Sequence, residues 1–448
     1  MRPAETMGRQ ACRAHSSPGM QIIARIVTAG GILLLTGGCS PAEDTYLARS
    51  AETTRAGDVA WARVFPVGED PPMVNGEEVH PAVTGLALGP DGDIWIAGTF
   101  AGSMDLGAGT ISAEQRKAAF VARLDPSGRT RWSTPIHSVK SMSEGVAVDQ
   151  AGNVFVSGVL DTNDEGHFLE KLAPGGTVLW RRPLPFQTDD AVVSVDVITP
   201  DGAGGAVIVG WFDGHLRVGG MELIRGVSSF AVGLGAEGEA RWTQKFGQSS
   251  DDGPVRAVTG SEGSVIVVED NAQGSRAPLT KLDRSGGVMW RKLFRRWSPP
   301  ASERGDVDAY TIAVDADDNV LFAGAGPADL GNDPVMNPFG GPWIVKLTPQ
   351  GELIWRKDRD ASLLGADAAG DVRLVSRTEH GFSAARLNVY GDPVWTRPFP
   401  NGGRPVGMVV ERAGRMIVAG TFHGTIDLGG GAITSGERDA IFVAALAP

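Results

Sequence analysis

One spacing recurs six times along this chain: a Leu, three residues, a Gly, three residues and a Trp. It occurs at LDPSGRTRW (124–132), LAPGGTVLW (172–180), LGAEGEARW (234–242), LDRSGGVMW (282–290), LTPQGELIW (347–355) and LNVYGDPVW (387–395). An apolar run precedes each copy, as in AAFVARL (118–124) and PWIVKL (342–347). Pro126, Pro174 and Pro349 fix φ inside the turn, and the recurring Gly admits φ > 0. Each copy is therefore predicted to be a β-hairpin.

A second hairpin lies upstream of each. EGVAVDQAGNVFVSG (144–158) has partners at TGLALGPDGDIWIAG (84–98), YTIAVDADDNVLFAG (310–324) and VGMVVERAGRMIVAG (406–420), with weaker copies at Val193–Val209, Val255–Val268 and Ala366–Val375. Two hairpins make a four-stranded antiparallel unit, with strands A to D, and a chain of such units at 40 to 71 residues per repeat predicts a β-propeller. The ends set the count. AIFVAALAP (440–448) is a C strand that stops where its turn should begin, and Gly57-Asp58-Val59-Ala60-Trp61 repeats the Gly-to-Trp spacing at the other end. The expected fold is all-β: a seven-bladed propeller over residues 58–448, with the N-terminal strand pairing with the C-terminal blade and closing the ring. Its D strands carry Trp61, Trp132, Trp180, Trp242, Trp290, Trp355 and Trp395. With 62 Gly and 28 Pro in 448 residues, a helical bundle is excluded, and 42% hydrophobic content is enough for a core.

The repeat resembles the SBBP family of bacterial β-propeller repeats across nearly all of residues 58–448. The resemblance is carried by Val148–Gly158, by the Phe-x-Gly-x-x-Asp-Leu-Gly segments at Phe100–Gly107 and Phe422–Gly429, and by Phe120–Leu124 and Phe442–Leu446. Blades two, four and six lack the Asp-Leu-Gly segment. That family is defined by architecture, so the resemblance implies the fold and says little of a ligand. The Leu-Asp-x-x-Gly-x-x-x-Trp hairpin is also similar to repeats of quinoprotein dehydrogenases and of the propeller lipoprotein of outer-membrane assembly. The quinoprotein enzymes commonly stack their cofactor on an adjacent-Cys disulfide, and residues 58–448 contain no Cys.

Ile26–Thr36 is eleven uncharged residues, too short to span a bilayer as a helix, with Arg25 before it and Gly37-Gly38-Cys39 after it. Residues 1–38 read as an export signal, and Leu35–Cys39 resembles a bacterial lipobox with Cys39 as the lipidated residue. Met20 would begin a conventional leader. Residues 39–57 read as a polar tether, and Ser40 after the Cys favours the outer membrane or cell surface. Without residues 1–38 the chain has 37 basic against 52 acidic residues. That balance speaks against nucleic acid and anionic lipid heads as partners and leaves the lipid anchor as the membrane attachment.

A–B and C–D turns are short, whereas B–C and D–A connections vary, and both variable sets fall on one propeller face. Several D–A segments are acidic: Glu77, Glu78, Glu144, Asp189, Asp190, Asp251, Asp252, Asp306 and Asp308 form a possible acidic binding face. Asp105, Asp329 and Asp427 read as Asx-type turns, and the seven repeated Trp as packing between blades. Trp95, Trp211, Trp297 and Trp343 fall outside the repeat position and are the better placed for an aromatic platform. No catalytic, phosphate-loop or zinc motif occurs, so no catalytic residue, metal or cofactor is expected. The reading is an exported, lipid-anchored, non-catalytic binding or protein-interaction scaffold whose partner is an envelope protein or glycan. The alternatives are a carbohydrate-binding module or lyase and a quinoprotein-like enzyme.

Overall fold

The computed structural model describes residues 33–35, 45–48, 55–66, 73–74, 77–142, 145–160, 166–184, 186–188, 192–223, 227–248, 255–269, 276–296, 308–326, 328–329 and 341–448. The chain divides into residues 1–31 and 32–448, and every described residue falls in the second unit. That unit is a seven-bladed β-propeller. Blade 1 comprises Ala82–Leu88, Ile94–Asp105, Thr110–Leu124 and Thr130–Met142, and blade 2 comprises Ala147–Val148, Val154–Leu160, His167–Leu172 and Val178–Pro183. Blade 3 is Val192–Pro200, Ala206–Asp213, Ser228–Leu234 and Ala240–Gln248; blade 4 is Val255–Thr259, Val265–Glu269, Arg276–Leu282 and Val288–Arg296. Blade 5 is Asp308–Val314, Val320–Ala325, Pro342–Leu347 and Leu353–Lys357; blade 6 is Leu363–Ala366, Val372–Thr378, Gly381–Leu387 and Pro393–Phe399. Blade 7 takes Arg404–Val410, Met416–Asp427 and Ala432–Leu446 from one end of the chain and Val59–Pro66 from the other.

The repeated Trp and Gly make the contact between neighbouring blades. The indole Nε1 of Trp132 donates to Pro174 O at 2.9 Å, Trp180 to Ala236 O at 2.9 Å, Trp242 to Arg284 O at 2.9 Å, Trp290 to Pro349 O at 2.8 Å and Trp355 to Val389 O at 2.8 Å. Each acceptor is the third residue of the next blade's C–D segment. The turn Gly has φ between 80° and 87° and lies against the same indole. A Cβ on Gly286 would stand 2.5 Å from Trp242, and one on Gly128 2.5 Å from Trp61. The Gly is thus required twice, by its backbone and by the ring against it.

The seventh C–D turn is assembled from the two chain ends. In blade 1, Asp125 N donates to Arg129 O at 2.8 Å and Gly128 N to Asp125 O at 2.8 Å. At the closure Ala447 N donates to Asp58 O at 2.8 Å and Gly57 N to Ala447 O at 3.0 Å, the same pair of bonds across a chain break. Gly57 has φ 79° and packs against Trp395.

Odd and even blades differ. In blades 1, 3, 5 and 7 the A strand shifts register once, between Val83 and Gly85, Val195 and Val197, Ala309 and Thr311, and Pro405 and Gly407. Such a bulge drives an A-strand carbonyl onto the B-strand glycine: a Cβ on Gly210 would lie 1.9 Å from Ser194 O. The B–C segments of the same blades reach back over the preceding blade. Leu216–Val218 pairs with Phe186–Thr188, which follows blade 2, and Ala328–Asp329 pairs with Arg295–Arg296 of blade 4. Met104, Leu106 and Ile111 of blade 1 share a core with Phe65 of blade 7, and Ile426, Leu428 and Ile433 of blade 7 share one with Phe399 of blade 6.

One expectation changes here and one is met where it can be seen. Asp105 and Asp427 form Asx-type turns, accepting from Gly107 N and Gly429 N at 2.7 Å, while Asp329 pairs with Arg295 and the residues that follow it lie outside the described ones. The segment read as a tether contains a strand, Thr45–Ala48, paired with Trp61–Val64, and Leu33–Leu35 pairs with it in turn. Four consecutive residues suffice to pair with an open edge strand, and no period-2 pattern is needed for that.

Removing residues 440–448 takes away the partner of Val59–Pro66 and both bonds of the split turn. The expected outcome is loss of soluble folded protein, read by circular dichroism and thermal melting. Gly210→Ala is expected to lower stability by about 1–3 kcal/mol in denaturant titration, because neither backbone can yield far.

Candidate functional site

The A strands of all seven blades surround a central cavity of about 1130 Å³. Its wall is apolar along Val83, Leu86, Ile312, Leu363 and Met408, with the hydroxyls of Thr84, Thr311, Ser362 and Thr421 among them. Thr84 is the extra residue of the blade 1 bulge, and its buried Oγ1 has no hydrogen-bond partner. Bulges therefore decide which A-strand groups the cavity presents.

The charged groups of the wall come from the strand ends nearest the variable loops: His80, Arg256, Asp360, Arg377, Arg404 and Asp439. Asp439 of blade 7 accepts from two imidazoles, His80 Nδ1 and His423 Nδ1, each at 3.1 Å. His80 precedes blade 1, so this contact spans the junction at which the ring closes. Arg377 Nε donates to Pro405 O at 3.0 Å, joining blades 6 and 7. Burial raises the Asp360 carboxyl above its usual 3.8, and hydrogen bonding from Ser376 offsets part of the rise.

Glu77 and Glu78 form a two-residue strand with Met73–Val74, and Asp308 opens blade 5 opposite Ala325. Glu144, Asp189, Asp190, Asp251, Asp252 and Asp306 lie outside the described residues, as do Cys39 and Trp297. Among the described residues the cavity wall thus holds none of the nine acidic candidates; its charges are the six named above. These six were not singled out in the sequence because they stand in or beside connections of unequal length, where no repeat register marks them.

Of the tryptophans set apart for an aromatic platform, Trp211 is half-buried, and Trp95 and Trp343 lie in the core. Trp343 is fully buried and donates to Gly326 O at 3.0 Å, while Trp95 is buried edge-on to Trp132 with Arg123 above it. An aromatic residue outside the repeat register fills a core as readily as it lines a site. Among the described residues no three of His, Cys, Asp and Glu converge to hold a metal. His167 is half-buried, its Nε2 3.1 Å from Val193 O, and desolvation lowers its pKa from 6.5.

A further repeat position went unread. The residue before the motif Leu is basic in five blades: Arg123, Lys171, Lys281, Lys346 and Arg386. Lys346 Nζ lies 2.8 Å from Asp315 of its own A–B turn and donates to Gly370 O of blade 6; Lys171 Nζ is 3.2 Å from Asp149 and donates to Gly204 O of blade 3 at 2.7 Å. These buried pairs join blades at the short-turn face, opposite the variable loops.

No family model matches the chain, and no curated protein matches it. Among solved structures it is similar to the Dos1 propeller (TM-score 0.46, 8% identity, 82% of this chain and 93% of that one). It is likewise similar to the β-propeller domain of the Trilobed protease from Pyrococcus furiosus (0.47, 9%, 82% and 93%) and to puromycin hydrolase (0.48, 13%, 84% and 56%). At such identities the likeness concerns the fold.

Two outcomes are expected. Lys346→Met strands Asp315 without its buried partner and should cost about 3–5 kcal/mol in denaturant titration. Asp360 has a raised pKa in the folded state, so its stabilising contribution is present when protonated and is lost as pH rises through the folded value. Asp360→Asn should therefore raise the Tm at pH 7 and leave it unchanged at pH 3.

Proposed function

We propose that this chain is an exported, lipid-anchored propeller of the SBBP repeat type that binds an envelope protein at the mouth of its central cavity, without catalysing a reaction. The observation that carries this reading is the cavity itself. Its wall is contributed by all seven blades, and its charged groups stand at the loop-bearing end, where connections vary in length without disturbing the blades. The short-turn face is spent on contacts between blades, which leaves the loop face as the one available for a partner. Cys39 would carry the lipid, and attachment at the cell surface or outer membrane follows from that role.

Crosslinked affinity capture of the tagged full-length protein from intact cells tests this. The reading expects a stoichiometric envelope protein that is lost with Ser362→Trp, a substitution into the cavity wall, at an unchanged Tm. Capture unaffected by Ser362→Trp, or no partner above background while a glycan array binds, would overturn it.

A further inference from the structure

Each D strand lies outside the C strand of its blade, the blade 7 one being covered in turn by Thr45–Ala48, and together the seven divide the charge of the chain unequally. Together they hold 14 Lys and Arg and no Asp or Glu, although the whole chain has a net charge of −12. In part this layer serves the blades. Arg291 Nη2 lies 3.1 Å from Glu269, and Lys357 Nζ 2.8 Å from Asp392, while Lys292 packs over Gly351 of the next blade. The two residues before each Trp have no such use in blades 4 and 5. There they are Val288-Met289 and Leu353-Ile354, with Met289 57% and Ile354 46% exposed. The same positions in blades 1 and 3 are Thr130-Arg131 and Ala240-Arg241, and the arginines there pair with Asp93 and Glu239. Aliphatic side chains are therefore not required by the blade, yet blade 2 exposes Val178-Leu179 there, and the adjacent blades 4 and 5 place two each side by side at the rim, beside Arg291, Lys292, Arg356 and Lys357.

We propose that the rim of blades 4 and 5 rests on an anionic phospholipid surface. Exposed aliphatics flanked by basic residues, with no acidic residue on either strand, are the chemistry of a bilayer interface: apolar groups enter the acyl boundary while Lys and Arg stay at the phosphates. The place where the N-terminal segment joins agrees with this. Arg397 of blade 6 donates to Ala56 O at 3.3 Å, and exposed Val394 and Tyr390 continue the apolar rim to that point. A chain anchored at Cys39 meets the propeller at Thr45–Ala48 on blade 7, the blade next to the blade 6 end of this arc. The local arrangement overrides the acidic total, which had spoken against anionic lipid. The proposal rests on the lipid-anchor reading for its geometry, and it leaves the cavity mouth available to a partner.

The test uses the full-length protein in vesicles containing phosphatidylglycerol, with an environment-sensitive fluorophore on a cysteine introduced by Met289→Cys or Ile354→Cys. Glu237→Cys and Arg129→Cys, in exposed turns of blades 3 and 1, serve as controls. Labels at 289 and 354 should shift to the blue and be quenched from within the bilayer, while those at 237 and 129 should not. The double variant Met289→Ser, Ile354→Ser should lower vesicle partitioning of the chain lacking lipid roughly tenfold or more. Intact mass separates the two readings. Lipid present with all four labels alike overturns the docking surface alone, whereas lipid absent overturns the anchor and leaves the labels to report docking of the blades. Shielding of 289 and 354 by an added envelope extract but not by vesicles would assign the rim to a protein and overturn the proposal.

Discussion

The contact on which this structure depends is a tryptophan of one blade held between a carbonyl and a left-handed glycine of the next. The indole donates to the third residue of the neighbouring C–D segment, at 2.8–2.9 Å in five junctions, and its ring leaves no room for a Cβ on the turn glycine. A four-stranded blade alone exposes two apolar faces and two edges, so the blades are stable only as a ring. Every junction must then be made, including one that the covalent chain does not supply. Gly57 and Ala447 make it by reproducing the backbone bonds of the intact turns.

Alternation of odd and even blades is laid over this ring. Bulged A strands facing B-strand glycines occur in blades 1, 3, 5 and 7, and the same blades send a B–C segment back across their predecessor. Both features act on the loop-bearing end: the bulges re-aim A-strand residues such as Thr84 toward the cavity, and the straps cover outer edges. The opposite end is held by buried Lys–Asp and Arg–Asp pairs together with turn carbonyls. Rigidity at one end and variation at the other place the candidate site where it is.

Blade number and ring closure were legible in the sequence because their signals are local: Leu, Gly and Trp lie within nine residues, and the same hydrogen bonds recur at each copy. The basic residue before each Leu was equally visible in VARL, LEKL and IVKL, but its partners lie in another hairpin or another blade, so spacing alone gave it no meaning. His423 and Asp439 face each other across one hairpin of blade 7, but His80 joins them only through closure, at a separation in sequence that no periodicity marks. The rim of blades 4 and 5 was hidden by the net charge, which averages an outer layer without acidic residues into an acidic whole.

Native-state hydrogen exchange of the full-length protein measures the closure most directly. If the split turn is equivalent to the covalent ones, amides of residues 59–66 and 440–446 should exchange only through global opening, with the same free energy as those of Ala206–Asp213 and Ser228–Leu234 in blade 3. Exchange of residues 59–66 and 440–446 at distinctly lower free energy, with blade 3 still protected, would contradict it.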